Sequence, residues 1–172
     1  RPMADLPVVP SSCRGSMVPA HPAVSSILDP ASRVATDETP YRFDRNEAMD
    51  SAEAVGKRQS LRTNPGLIDG VRRFMHNVYR VPMDGTVSHE EYVRVHSATV
   101  RILLGDEMSE AEVRIIVEED WESDAKGAEE LDAERVFDSL FELADLWCPN
   151  ISAAEYLSFI DTIGCTLSAG GR

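Results

Sequence analysis

The sequence predicts an all-α protein with an extended, proline-rich N-terminal arm, and three observations support this fold class. Apolar residues recur at helical spacing in five segments of the C-terminal two thirds of the chain. A residue that commonly caps a helix precedes each of these segments. Eight of the ten prolines fall within the first 65 residues, where they prevent a continuous helix or a central strand.

The chain divides into two parts near residue 63. Residues 1–63 form the predicted arm, in which the stretch 46–57 alone has the composition of a short helix. A segment without its own core needs a partner surface to offset the entropy lost on ordering, so we expect a partner to order the arm. Residues 64–172 form the predicted domain of about five helices.

The net charge of -13 lies in the helical domain, because acidic and basic residues balance in the first 65 residues. An acidic surface repels nucleic acid and anionic membranes and attracts basic proteins or divalent cations. We therefore expect no nucleic-acid partner. The sequence contains no apolar run of about 18 residues, so it predicts no transmembrane segment. Three cysteines match no disulfide or zinc pattern and are typical of reduced thiols in an intracellular protein.

The predicted helices begin at recognisable caps. The first has Asn64 as its N-cap and Pro65 in its first turn, and its apolar stripe ends near Tyr79. Another begins after Asp132 and ends near Trp147. The other three begin with capping boxes, in which a serine oxygen accepts from a free amide and a glutamate reaches back. These boxes run from Ser88 to Glu91, from Ser109 to Glu112 and from Ser152 to Glu155.

The segment from Asp84 to Tyr92 resembles the second half of an EF-hand loop. Such loops have an Asp-Gly turn, an apolar residue two positions after the glycine and a closing glutamate six positions after it. Gly85, Val87 and Glu91 match these positions. The chain is therefore similar to a degenerate, calmodulin-like EF-hand protein, and the resemblance implies that its helices form paired hands.

A second region that resembles the family begins at Asp120. Acidic side chains at alternate positions, Asp120, Glu122 and Asp124, are typical of the first half of a calcium loop. Because Gly127 comes two residues late, the closing carboxylate would be Glu134, across an insertion. These four acidic residues are the candidate ligands for calcium or magnesium.

The first loop lacks part of the family's ligand set. Its first and third positions hold Arg80 and Pro82, which leaves Asp84 and Glu91 as oxygen donors. The resemblance therefore implies a loop that has lost its metal. We therefore expect no cofactor, and the alternative is that the second loop binds calcium.

A third region, residues 144–155, matches the family at Ile151 and Glu155 and little else, so we expect no metal there. With their metals lost, the loops are expected to persist as pairing elements. Val87 and Leu131 are the residues expected to form the short strand contact between the hands.

Aromatic residues of the last two helices are candidates for binding a partner, because EF-hand pairs offer an apolar groove to amphipathic helices. The candidates are Phe137, Phe141, Trp147, Tyr156 and Phe159. The stretch 120–163 is also similar to calmodulin-like proteins of cilia and flagella.

No catalytic residue is predicted. The four histidines lie beside no Ser, Cys or Asp in a recognised nucleophile motif, and surface positions are expected for them. They are His21, His76, His89 and His96. No glycine-rich phosphate loop follows a strand or opens a helix. The sequence therefore favours a protein that is not an enzyme.

The leading hypothesis is a structural subunit of a large assembly that binds partners without calcium. The resemblance to ciliary proteins implies a cytoplasmic, cytoskeletal location in the axoneme, with tubulin or a basic amphipathic helix as the partner. A calcium-sensing regulator is the second hypothesis, and it requires a working second loop. An accessory subunit of a mitochondrial membrane complex is the third, because the chain begins at Arg1 rather than at Met.

Overall fold

The computed structural model describes residues 51–105 and 107–170, which form six α-helices, a π-helical turn and a two-stranded sheet. The predicted all-α class is confirmed, and the five predicted helices correspond to α2–α6. Most of the predicted arm lies outside the described residues. The helices are α1 (Ala52–Arg62), α2 (Pro65–Phe74), α3 (His89–Leu104), α4 (Glu110–Ala125), α5 (Ala133–Trp147) and α6 (Ala153–Gly170). The π-helical turn is Met75–Tyr79, and the strands are β1 (Val87–Ser88) and β2 (Glu130–Leu131).

Side-chain caps begin α2–α5 as the sequence predicts. Asn64 accepts from the amide of Gly66 at 2.9 Å, and Asp132 accepts from the amide of Arg135 at 2.9 Å. Both halves of the capping box are present at Ser88 and Glu91, which begin α3, and the second box begins α4 in the same way. These contacts satisfy amides that have no partner within their own helix.

At the start of α6 the predicted capping glutamate reaches further back than a capping box requires. The carboxylate of Glu155 accepts from the backbone amide of Asn150 at 3.1 Å and from its side-chain amide at 2.9 Å. This bidentate contact closes the short connection between α5 and α6.

Helix α1 differs from the short helix predicted within residues 46–57, because it begins later and ends after that stretch. Its contacts with α5 are mostly charged. Arg58 donates to Asp145 at 2.8 Å, and the guanidinium of Arg62 lies 4.6 Å from the centre of the Phe141 ring. The helix therefore packs on the helical domain, although the sequence placed it in the arm. Its weak apolar periodicity left no local signal of this docking.

The two strands join the loops that precede α3 and α5. They pair antiparallel, with Val87 opposite Leu131 and Ser88 opposite Glu130. Both Val87 and Leu131 have an exposed fraction of 0%. The contact predicted between these two residues is confirmed.

The core lies between α2–α5 and the C-terminal helix. Helix α6 packs on α2, α3, α5 and the π-helical turn, and it buries Tyr156, Phe159 and Ile163 completely or nearly so. The approach of α2 to α6 is close at Gly70, where a Cβ atom would lie 2.5 Å from Cδ1 of Leu157. The C-terminal helix thus occupies the apolar face of the four helices that the resemblance pairs as hands.

The helices are amphipathic rather than apolar on all sides. Helix α2 buries Leu67, Val71 and Phe74 and exposes Arg72 and Arg73. In the part of the chain that the structure describes, no helix combines the length and the apolar character needed to cross a membrane.

Candidate functional site

The strand pairing assigns equivalent positions to the two loops. Val87 is the eighth residue of the loop that begins at Arg80, and Leu131 lies directly opposite it. If Leu131 is the equivalent residue, the second loop begins at Asp124 and its twelfth position is Arg135. This register differs from the one predicted from the spacing of the acidic residues.

The four candidate ligands of the second loop do not form a metal loop, because the first half of that stretch is helical. Asp120, Glu122 and Asp124 all belong to α4, which continues to Ala125. In a helix, residues four apart share one face and a residue between them points elsewhere, so Glu122 is separated from the other two. Glu134 lies in the first turn of α5. Within residues 51–105 and 107–170, no three His, Cys, Asp or Glu side chains are placed to hold a metal ion.

The loop that follows α4 carries basic residues at two ligand positions. Lys126 stands at the third position in a left-handed conformation with φ 51°, and Gly127 follows with φ 85°. At the twelfth position, the guanidinium of Arg135 donates to Asp132 at 2.8 Å. A bidentate carboxylate is required at that position for calcium.

The first loop uses its closing carboxylate as a helix cap. Glu91 accepts from the backbone amide of Ser88 at 3.0 Å and from its hydroxyl at 2.8 Å, and these hydrogen bonds lower the pKa of Glu91. Asp84 and Gly85 form the expected turn, in which the amide of Gly85 donates to the carbonyl oxygen of Pro82 at 2.9 Å. The residue at the first position, Arg80, ends the π-helical turn with φ 65°.

Three of the five aromatic residues predicted to bind a partner belong to the core. Phe141, Tyr156 and Phe159 have exposed fractions of 3%, 0% and 1%. Phe137 and Trp147 are partly buried against the same core. The expectation of an open groove fails because α6 supplies two of these residues and fills the apolar face itself.

A polar cleft that the sequence did not indicate lies between α3, α4 and α5. Its volume is about 170 Å³. Helix α3 contributes Tyr92 and His96, and α4 contributes Asp120 and Asp124. Helix α5 contributes Ser139, Glu142, Leu143 and Leu146, and Ser123 of α4 completes the lining. The cleft joins three helices, so no single stretch of sequence contains its pattern.

Tyr92 and His96 form one wall of the cleft. Their rings stack with centres 3.7 Å apart and an interplanar angle of 14°, and the Tyr92 hydroxyl donates to Asp124 at 2.6 Å. Burial and the charge of Asp124 raise the pKa of Tyr92. Burial lowers the pKa of His96 to about 3, so this histidine is neutral at physiological pH. The surface position predicted for His96 is wrong, since its exposed fraction is 7%.

Asp120 lies at the mouth of the cleft as an exposed residue whose carboxyl group is only partly accessible to solvent. Loss of solvation and the negative charges of Asp124 and Glu119 raise the pKa of its carboxyl group to about 6. The spacing of Asp120 and Asp124 is the sequence signal for this site, and the same spacing fits the first half of a metal loop.

The comparisons with known proteins give no match. No family model, no curated protein and no solved structure is significantly similar to the chain. The resemblance to EF-hand proteins therefore depends on the loop residues and on the pairing of Val87 with Leu131.

Proposed function

We propose that the helical domain is an EF-hand-like interaction module that binds partner proteins in a larger assembly, without calcium and without catalysing a reaction. The observation that carries this proposal is the strand register. It assigns Arg80, Lys126 and Arg135 to positions where a calcium loop needs oxygen donors. A positive side chain at such a position repels a divalent cation and supplies no ligand.

The packing of α6 supports a permanently closed form. Calcium sensors expose an apolar groove when they bind the ion. In this chain the corresponding apolar face is covered by Phe159, Ile160 and Ile163 of its own C-terminal helix. Partners are therefore proposed to bind polar surface of the module, and not an apolar groove opened by calcium.

The charge favours a basic partner. The helical domain carries the whole net charge of -13, and such a surface attracts a basic segment by long-range electrostatics. Of the partners that the resemblance implies, a basic amphipathic helix has the charge that such a surface attracts. The axoneme remains the proposed location, and the mitochondrion is the alternative. Imaging of a tagged full-length chain in ciliated cells distinguishes the two locations.

Isothermal titration of the full-length chain with calcium tests the proposed independence from the ion. The matched control is the double variant R80D/P82D, which adds the two missing acidic positions to a loop that already has Asp84, Gly85 and Glu91. We expect heat of binding from the variant and none from the wild type. Micromolar binding of calcium by the wild type would overturn the proposal.

A further inference from the structure

We propose that the polar cleft between α3, α4 and α5 binds the cationic head of an arginine or lysine side chain from a basic partner segment. This inference rests on the proposed function, because it assigns the contact by which the interaction module would hold a partner. The charge, the unsatisfied polar groups and the size of the cleft each point to this ligand.

The described residues that line the cleft carry negative charge and include no lysine or arginine. Asp120, Asp124 and Glu142 contribute carboxylates from two helices. Arg62 approaches Glu142 from outside the lining at 3.8 Å, and Tyr92 donates one hydrogen bond to Asp124. These contacts leave the carboxylate of Asp120 without a cation among the described residues, so the cleft attracts a positive group and repels an anion.

Two polar side chains open into the cleft without a hydrogen-bond partner among the described residues. They are His96 and Ser139, and each has an exposed fraction of 7%. No fully buried side-chain nitrogen or oxygen of the described residues lacks a partner, so the polar atoms of these two residues keep access to the cleft. Polar groups in such a position are available to accept hydrogen bonds from a ligand that enters the cleft.

The available atoms match a donor-rich cation. Neutral His96 offers an unprotonated ring nitrogen, and the hydroxyl of Ser139 and the carboxylate of Asp120 also accept hydrogen bonds. An ammonium or guanidinium group has several N–H donors and no acceptor.

The size of the cleft selects a single side chain. Its volume of about 170 Å³ is smaller than the 300–1,000 Å³ that is typical of pockets for drug-sized ligands. Leu143 and Leu146 provide apolar surface for the methylene groups that carry the charged head. A side chain presented by a protein segment is thus the proposed occupant.

The test is a titration of the full-length chain with two synthetic peptides, followed by NMR of the His96 ring. One peptide is an alanine- and leucine-based amphipathic helix that carries arginines, and the other has the neutral isostere citrulline at the same positions. We expect the arginine peptide to bind and to shift the His96 resonances. Equal binding of the citrulline peptide would overturn the inference.

Variants locate the binding in the cleft. D120N and S139A each remove one acceptor from the lining, and we expect D120N to weaken binding at least about tenfold. E122Q is the matched control, because it removes the same charge from the outward face of α4, and its expected effect is less than about twofold. Equal losses of affinity for the arginine peptide in D120N and E122Q would mean that long-range attraction alone drives binding. That result would overturn the cleft as the binding site. S139A retains the charge and decides the question if D120N fails to fold.

Two further arms separate this inference from the proposed function. Binding of the arginine peptide in the presence of calcium but not of a chelator would overturn the proposed function while leaving the cleft as the site. Binding of free arginine amide or spermidine as tightly as the peptide would overturn the partner segment as the occupant. Failure of the arginine peptide to bind under either condition would overturn the inference alone.

Discussion

At the scale of single residues, the buried His96 makes stability depend on pH. Its pKa is about 3 in the folded chain and about 6.5 in an unfolded chain. The unfolded state therefore binds more protons between these values, and the folded state loses stability as the pH falls below about 6.5. Asp120 acts in the opposite direction, because its raised pKa lets the folded state take up a proton more readily.

Replacement of His96 by phenylalanine should remove this pH dependence while keeping an aromatic ring beside Tyr92. Between pH 7 and pH 5, we expect the wild type to lose about 2 kcal/mol more free energy of unfolding than His96→Phe. Urea unfolding at both pH values measures the difference. The other titratable groups that face the ring, Asp120, Asp124 and Glu142, are the same in both proteins, so their contributions cancel. Equal losses in the two proteins would mean that His96 is not buried as described.

Two glycines should respond oppositely to the same substitution. Gly127 has φ 85°, which a residue with a Cβ atom rarely adopts, so Gly127→Ala should cost roughly 1 kcal/mol. Gly56 lies inside α1, where an added Cβ atom meets nothing within 4 Å, and Gly56→Ala should stabilise the helix by up to about 1 kcal/mol. Thermal unfolding of both variants measures the two signs. A stabilising effect at Gly127 would contradict the loop conformation between α4 and β2.

At the scale of elements, local sequence signals predicted α2–α6 and missed the docking of α1. Cap residues such as Asn64 and Ser88 bind amides two or three positions later in the chain, so the local sequence is enough to predict them. Helix α1 buries Ala54 alone among its apolar residues, and it is held by charged contacts with residues more than 70 positions away. Contacts at that separation leave no periodic signal.

The ion pair of Arg58 with Asp145 is expected to hold α1 on α5. Asp145 is buried, with an exposed fraction of 2%, and it also accepts a hydrogen bond from Tyr156. Because removal of one partner of a buried pair leaves a charge without full compensation, Arg58→Met should cost about 3 kcal/mol. Lys57→Met, which breaks an exposed ion pair in the same helix, should have a much smaller effect on stability.

A double-mutant cycle gives the coupling directly. If the two side chains act as a pair, Arg58→Met combined with Asp145→Asn should cost at least about 1 kcal/mol less than the sum of the single variants. Chemical unfolding of the four proteins supplies the values. Additive losses would mean that α1 is held by other contacts.

At the scale of the whole molecule, the strand contact was predictable and the functional residues were not. Val87 is predictable because it follows the Asp-Gly turn of the first loop, and Leu131 because it is the apolar residue directly before the cap residue Asp132. The candidate metal ligands were placed in the wrong loop positions because the acidic residues from Asp120 to Asp124 belong to a helix. Which positions of the two loops correspond is fixed by the pairing of strands that are distant in sequence. The polar cleft takes residues from three helices, so it became visible when those helices were packed together.

The burial of the aromatic residues that were expected to bind a partner also depends on how distant helices pack. Spacing alone showed that Phe141 and Phe159 lie on apolar stripes, which suit a core and a binding groove equally. The packing of α6 on α2, α3 and α5 shows that these residues belong to the core. Which element covers an apolar face is a property of the assembled molecule.

Hydrogen exchange of the full-length chain, with calcium and with a chelator, tests the central claim most directly. A closed module that does not need calcium predicts strong protection at Val87 and Leu131 and along α6 in both conditions, with no change in residues 124–135. Protection that appears in residues 120–134 on adding calcium, together with loss of protection in α6, would contradict the account and indicate a working sensor.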